Sequence, residues 1–207
     1  MAFDVLAHNK ISSSAVVSYN QQSKCVIGLD RDGIINHIPT SGYVKTREQL
    51  HIIDGALEAI KVMRSKGYQT TIISDQPHIA KGLMTQWEAD TVNTRLMEIF
   101  GQAGITSIEG LYYNTSDVKE DMYAKPNPGM FRRAESEWPS VDFSKGYYVG
   151  DSLVDLKAAV KVKAKPILIR TGNGEEAEKL LDKFSNQELK KKARIYSSLL
   201  EFANDLP

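Results

Sequence analysis

Two kinds of apolar pattern alternate along the chain. Short runs at Cys25–Leu29, Gln69–Ile73, Ile108–Tyr113, Gly146–Val149 and Pro166–Ile169 are rich in Val, Ile, Leu and Tyr and stop at turn-forming residues. Such runs read as strands buried on both faces, the pattern of a parallel sheet. Between them the apolar residues take a helical period. Ala56, Leu57, Ala59, Ile60 and Met63 share a face, and Gly67 ends that helix. Thr85–Ala103 predicts a long amphipathic helix with Trp87, Val92, Leu96, Ile99 and Phe100 inward and Gly104 as its stop. Asn127 caps a further helix that has Pro128 in its first turn and runs through Phe131, Ala134 and Trp138. Leu156–Val162 and the charged stretch Glu175–Arg194 are helical in pattern. Ile195-Tyr196 predicts a last short strand, and Ser197 caps a final helix through Leu199, Leu200 and Phe202. This alternation predicts an α/β fold, a parallel sheet covered by helices on both faces.

With 207 residues the chain is long enough for one domain with a full core. Residues 1–24 bear Ser and Asn without a clear period and are read as an N-terminal extension, with room for one short strand or helix packed on the domain; 25–207 are read as the domain. No repeat or linker divides it. Lys plus Arg and Asp plus Glu both total 26, so no global field points to nucleic acid. The lysines at the chain's end (Lys179, Lys183, Lys190, Lys191, Lys192) are read as a solvated helix face rather than a site for anionic partners. No apolar run is long enough to cross a bilayer, and no basic segment followed by an apolar run opens the chain, so a cytoplasmic protein without a membrane partner is expected. Cys25, the single cysteine, has no intrachain partner and is read as a small core residue.

The chemistry lies where the strands end. Asp30 and Asp32 follow the first apolar run with one residue between them, and Gly33 follows at once. The carboxyl ends of strands are where open α/β sheets hold ligands. Two acids so close repel each other unless a cation or a shared proton relieves them. That suggests a Mg²⁺-assisted site in which one carboxylate attacks and the other moves a proton; the bland alternative is a capped strand end with solvated acids. The loop from His37 to Gln49, with Tyr43 within it, begins beside these acids and is long for its place, as substrate-contacting loops are. Ser74, Asp75 and Gln76 end the second strand, where a hydroxyl and free backbone N–H groups can bind a phosphate, or Ser74 can simply cap a helix. Lys125 precedes the Asn127-Pro128 helix start and can reach a phosphate as a point charge. Asp151 and Asp155, after the fourth run, share a helix face; with Asp30 they would form an oxygen cage suited to Mg²⁺.

These stretches, in this order, resemble the motifs of the haloacid dehalogenase (HAD) superfamily. Asp30-Arg31-Asp32-Gly33-Ile34-Ile35-Asn36 resembles the first motif in the form found in the heptose bisphosphate phosphatase and histidinol-phosphate phosphatase branch. Ser74-Asp75-Gln76-Pro77-His78-Ile79-Ala80-Lys81-Gly82 is similar to that branch's T-N-Q-S-G-I-A-R-G. Lys125-Pro126-Asn127-Pro128-Gly129-Met130 resembles its K-P-x-P-G-M, Gly150-Asp151-Ser152-Leu153-Val154-Asp155 its G-D-x-x-x-D, and Arg170-Thr171-Gly172 a further branch feature. The resemblance implies a Rossmannoid three-layer sandwich, sheet order 3-2-1-4-5, without a cap domain. It implies a monomeric Mg²⁺-dependent phosphatase of a small phosphate ester, with Asp30 as nucleophile and Asp32 as general acid and base. Arg31, Gly33, Ser74, Asp75, Gln76, Lys81 and Lys125 would contact substrate or phosphate. Asp30, Asp151, Asp155 and the backbone carbonyl of Asp32 would hold the metal.

The chain departs from the branch in places. Its relatives carry a zinc loop of three Cys and a His before the K-P motif, whereas Tyr112–Ala124 has neither residue, so no structural zinc is expected. Ala124 and Ser152 stand where the branch has Arg and Lys. Heptose bisphosphate leads as substrate and histidinol phosphate follows. A polynucleotide-end phosphatase, with a nucleic-acid partner not expected, and a non-catalytic binding protein on the same fold remain the alternatives.

Overall fold

The structure is a computed structural model and describes residues 24–207. The expected N-terminal extension lies outside the described residues, apart from Lys24, which opens the first strand. In chain order the elements are β1 (Lys24–Leu29), α1 (Ala56–Ser65), β2 (Tyr68–Asp75), α2 (Gln86–Gln102), β3 (Leu111–Asn114), α3 (Gly129–Glu137), β4 (Tyr147–Gly150), α4 (Leu153–Lys161), β5 (Lys165–Ile169), α5 (Gly174–Leu181), α6 (Gln187–Lys192), β6 (Arg194–Tyr196) and α7 (Leu199–Asp205). The strands form one six-stranded, wholly parallel sheet in the order β3-β2-β1-β4-β5-β6. This is the expected order with the short strand at Ile195-Tyr196 added at the edge. From β1 the chain steps outward to β2 and β3, then returns to lay β4 on the other side of β1. The strand order therefore reverses between β1 and β4, the place where sheets of this kind put their ligand crevice.

Strand alternation divides the core into two layers. Ile27 and Leu29 of β1 and Tyr147 and Val149 of β4 pack with apolar residues of α1, α2 and α7. Val26 and Tyr148 face the opposite way, onto Met130, Phe131 and Ala134 of α3 and Ala158 and Ala159 of α4. Leu168 of β5 meets Leu156 of α4 and Ala177 and Leu181 of α5. No helix among the described residues is long and apolar enough to cross a membrane.

Several local expectations are corrected. Trp87 is 74% exposed rather than inward. The capping box of Thr85 and Glu88 fixes the start of α2, and its buried stripe begins at Ala89. Asn127 does not cap α3; Pro128 occupies that position, and the Asn127 amide donates to the carbonyls of Lys119 and Asp121. Ser198, not Ser197, caps α7 by accepting from the Glu201 backbone N–H. Glu175–Arg194 is not one helix. Its buried stripe ends at Leu181, a 3₁₀ turn follows at Phe184–Asn186, and α6 buries no residue.

Candidate active site

Asp30 follows the last residue of β1, and its backbone N–H still donates to Val149 of β4 at 2.9 Å. It is thereby fixed at the point where the strand order reverses. The chain then turns sharply through Gly33, whose φ of +87° suits glycine. Asp30 is 8% exposed. Its Oδ1 accepts from the Arg31 backbone N–H at 2.8 Å and stands 3.1 Å from Lys125 Nζ. Burial raises its carboxyl well above the usual range; Lys125 opposes that, and Asp155, Asp151 and Asp32 add to it.

Asp32 sits in a different environment. Its oxygens accept from Arg31 (Nη2 to Oδ2, 2.8 Å), from Asn36 (Nδ2 to Oδ1, 2.8 Å) and from Gln76 (Nε2 to Oδ2, 2.8 Å). Burial alone would raise its carboxyl, but the Arg31 guanidinium and these hydrogen bonds hold it below the usual value. Arg31 itself has no exposure, and its Nη1 donates to Asn93 of α2 at 2.8 Å.

Lys125 reaches the site from the turn before α3. Asp75, at the end of β2, accepts from the Lys125 backbone N–H at 3.1 Å and anchors that turn. The Lys125 ammonium lies 2.7 Å from Asp155 Oδ1, 3.1 Å from Asp30 Oδ1 and 3.3 Å from Tyr148 Oη, which donates onward to the Ile73 carbonyl at 2.8 Å. Burial would lower the lysine, but Asp155 and Asp30 outweigh it and keep the ammonium charged.

The last acids come from the end of β4. Ser152 caps α4, accepting from the Asp155 backbone N–H, and its hydroxyl also donates to the Asp155 carboxylate. Asp151 Oδ2 accepts from the backbone and side-chain nitrogens of Asn173, at 2.8 and 3.1 Å. Burial, with Asp155 beside it, pushes the Asp151 carboxyl up to about 6. Gly33 and Gly172 close over this carboxylate, and a Cβ on either would fall 2.1 or 2.2 Å from Asp151 Oδ2. Asp30, Asp151 and Asp155 each offer one oxygen, all within 4.8 Å of one another.

The sequence-derived candidates thus fall into distinct places. Asp30, Asp151, Asp155 and Lys125 converge. Arg31 and Gln76 hold Asp32, whose own carboxylate lies outside the acidic cluster. Ser74 is buried, and its hydroxyl accepts from Gln76 Nε2 at 3.1 Å. Asp75 is turned onto the Lys125 backbone, and Lys81 is exposed on the turn after β2. Sequence reasoning gave no role to Asn36, Asn93, Tyr148 or Asn173. Asn36 closes the first motif and Asn173 follows Arg170-Thr171-Gly172, so both were within reach of it. Asn93 is a polar residue on an apolar helix face and Tyr148 lies inside a strand, so both pass as packing residues.

Residues 24–163 match the family described as haloacid dehalogenase-like hydrolase. The D-glycero-D-manno-heptose-1,7-bisphosphate 7-phosphatase of Chlorobaculum tepidum is 34% identical over 168 residues, covering 75% of this chain and 83% of the relative. The corresponding D-glycero-beta-D-manno-heptose-1,7-bisphosphate 7-phosphatase of Pseudomonas aeruginosa is 32% identical over 154 residues, covering 73% of this chain and 84% of the relative. A crystal structure of D,D-heptose 1,7-bisphosphate phosphatase from B. bronchiseptica, complexed with magnesium and phosphate, superposes with a TM-score of 0.76 at 25% identity, covering 87% of this chain and 96% of that one. By fold, ordered motifs and kinship, the chain belongs to the haloacid dehalogenase-like hydrolases.

Proposed function

We propose that this phosphoric monoester hydrolase acts on a small sugar phosphate, with D-glycero-D-manno-heptose 1,7-bisphosphate as the leading substrate and histidinol phosphate behind it, through an aspartyl-phosphate on Asp30 and with the help of Mg²⁺. The observation that carries this reading is the convergence of Asp30, Asp151 and Asp155 within 4.8 Å of one another, with Lys125 against Asp30 and Asp155, while Asp32 is held separately by Arg31, Asn36 and Gln76. The name of the relatives supports the substrate class.

The donor set fits Mg²⁺. It consists of oxygens alone, and its buried carboxylates outnumber the one ammonium beside them, so a hard divalent cation relieves their repulsion. When bound, the cation supplies the positive charge that keeps Asp30 ionised and draws in the phosphate. Asp30, Asp151 and Asp155 would hold it, with the Asp32 backbone carbonyl.

Asp30 attacks phosphorus through a carboxylate oxygen, and the bond from phosphorus to the leaving oxygen breaks. Lys125 neutralises charge on the transferring group. Asp32 delivers its proton to the leaving oxygen. Its environment keeps it ionised in the free protein; the arriving phosphate dianion favours its protonation, with the proton taken up from solvent as the substrate binds. Asp32 then takes a proton from water, whose oxygen attacks the aspartyl-phosphate; the bond from phosphorus to Asp30 breaks and inorganic phosphate leaves. The same reading takes 25–207 as one capless catalytic domain, monomeric and cytoplasmic, with no structural zinc.

The test is phosphate release from a panel of sugar phosphates, histidinol phosphate and a 3′-phosphorylated oligonucleotide, with EDTA or with Mg²⁺. Sugar phosphates are expected to lead, and only with Mg²⁺. Full activity after exhaustive chelation overturns the metal assignment. Strong preference for the oligonucleotide overturns the substrate class.

A further inference from the structure

The side chains of the acidic cluster are largely buried, Asp30 at 12% exposure being the most open of those that Lys125 pairs with, and the site is most exposed at Asp32. The Asp32 side chain is 19% exposed, against 4% for Lys125 and 1% for Asp155. Two loops start beside it, the long one after β1 at Asn36 and the turn after β2 at Gln76, each of which donates to the Asp32 carboxylate. They meet through stacked rings: Tyr43 and His78 lie 4.2 Å apart between centroids and 18° from parallel. The loops are also tied at Leu83, whose carbonyl accepts from Tyr43 Oη at 3.3 Å and from Lys45 Nζ at 3.0 Å. His78 is close enough to Asp32 and to Lys81 for both charges to act on its imidazole. His78 Nδ1 is buried without a hydrogen-bond partner among the described residues. The resembling motif has Ser-Gly where this chain has Pro77-His78, so the stack rests on a side chain the motif does not supply.

We propose that the Tyr43–His78 stack is a specificity-determining wall for the leaving group. It takes the hydroxylated carbon chain of a sugar phosphate against its partly exposed edge, with Lys81 beside it for a second anionic group. The inference rests on the reading of Asp32 as proton donor, because that role puts the leaving oxygen next to Asp32 and the rest of the leaving group over its neighbours. A flat, half-buried aromatic pair offers apolar area to the C–H faces of a sugar at little entropic cost, and the nearby polar groups fix its orientation. Burial, with Lys81 beside it, lowers the imidazole's proton affinity, so at neutral pH His78 stacks as a neutral ring and leaves charge recognition to Lys81. A leaving group of only a few atoms would not extend to this wall.

The experiment compares the full chain with its His78→Ala and His78→Phe variants, in Mg²⁺, on heptose 1,7-bisphosphate and on acetyl phosphate, whose leaving group is too small to use the wall. In His78→Ala, kcat/KM for the sugar bisphosphate relative to acetyl phosphate is expected to fall about tenfold, mainly through KM. His78→Phe keeps a stacking ring and is expected to recover that ratio to within about threefold. Lys81→Met is expected to cost the bisphosphate more than the matching monophosphate. An unchanged ratio in a His78→Ala variant that unfolds at the wild-type temperature, or a ratio not recovered in His78→Phe, overturns the wall. Thermal unfolding of each variant identifies a folding defect, which would appear as loss on both substrates. A wild-type enzyme that cleaves acetyl phosphate but no sugar phosphate instead removes the substrate reading, and the proposed occupant with it.

Discussion

Arg31 Nη2 donates to Asp32 Oδ2 at 2.8 Å from a guanidinium with no exposure to solvent, so the side chain between the two acids serves only the second of them. Arg31 offers a planar fork that lysine cannot copy, and its other arm is fixed on Asn93. Removing one partner of such a buried pair leaves the other charge uncompensated. Arg31→Met is expected to destabilise the protein by about 3 kcal/mol in urea unfolding. Arg31→Lys keeps the charge but loses the paired geometry, and is expected to fold while losing turnover. Wild-type activity in Arg31→Lys would show that Asp32 needs no orienting partner.

The contrast between Asp30 and Asp32 predicts two different losses. With Asp30 as the proposed nucleophile, Asp30→Asn is expected to abolish turnover on every ester, with the fold retained. With Asp32 as the proposed acid and base, Asp32→Asn is expected to remove proton transfer, worth roughly 10²–10⁴-fold. That loss is expected to be greatest on alkyl phosphates and least on aryl phosphates, whose leaving groups need no proton. Equal losses on both ester types would count against Asp32 as the acid, and substantial activity in Asp30→Asn would count against the nucleophile.

The sheet was legible because its apolar runs are continuous and end at polar turns, and the motif acids sit where the topology gathers ligands. What sequence could not show is how each acid is held. Asp75 looked like a phosphate contact, but its carboxylate anchors the Lys125 backbone. Arg31 lies beside Asp30 in sequence, yet its guanidinium donates to Asp32 and Asn93. These assignments depend on contacts between residues as far apart as Arg31 and Asn93, which no local pattern encodes. Trp87 misled for a simpler reason: its large apolar side chain suggests burial, but it lies two residues before Ala89, on the side of the helix away from the buried stripe.

The Asp151 carboxyl, pushed up to about 6, predicts how stability changes with pH in metal-free protein. An acid raised on folding holds its proton more tightly in the folded chain than in the unfolded one, where its value is about 3.9. Its contribution is therefore complete below about pH 4 and is lost as pH rises through about 6. That shift corresponds to about 3 kcal/mol. Mg²⁺ competes with the same proton, so saturating Mg²⁺ is expected to raise Tm more at pH 8 than at pH 5. Calorimetry with EDTA and with Mg²⁺ at both pH values measures this, and equal increments would argue against Asp151 as a ligand.

The stretch before Lys125 has its own internal ties. Asp121 accepts from the Tyr123 backbone N–H at 2.8 Å, and the Asn127 amide donates to the carbonyls of Lys119 and Asp121. Asp117, Glu120 and Asp121 are its acids, and carboxylates without thiolate or imidazole make a poor structural zinc site. Elemental analysis of protein purified without chelator is expected to find well under one zinc per chain. A stoichiometric zinc, retained through dialysis, would refute this.

Gly172 supplies a steric test of the proposed metal site that changes no charge. Its φ is +56°, and a Cβ there would fall 2.2 Å from Asp151 Oδ2 and 2.7 Å from the Gly33 Cα. Gly172→Ala therefore has two effects, backbone strain of about 1–2 kcal/mol and displacement of the Asp151 carboxylate. Gly104 separates them. Its φ is +79°, but a Cβ there meets nothing within 4 Å. Gly104→Ala is expected to show the strain as a lower Tm with Mg²⁺ activation intact. Gly172→Ala is expected to need about tenfold more Mg²⁺ for half-maximal activity, as a ligand moved from its position implies. If the two variants activate at the same Mg²⁺ concentration, the carboxylate held beneath Gly172 does not contribute to the metal site.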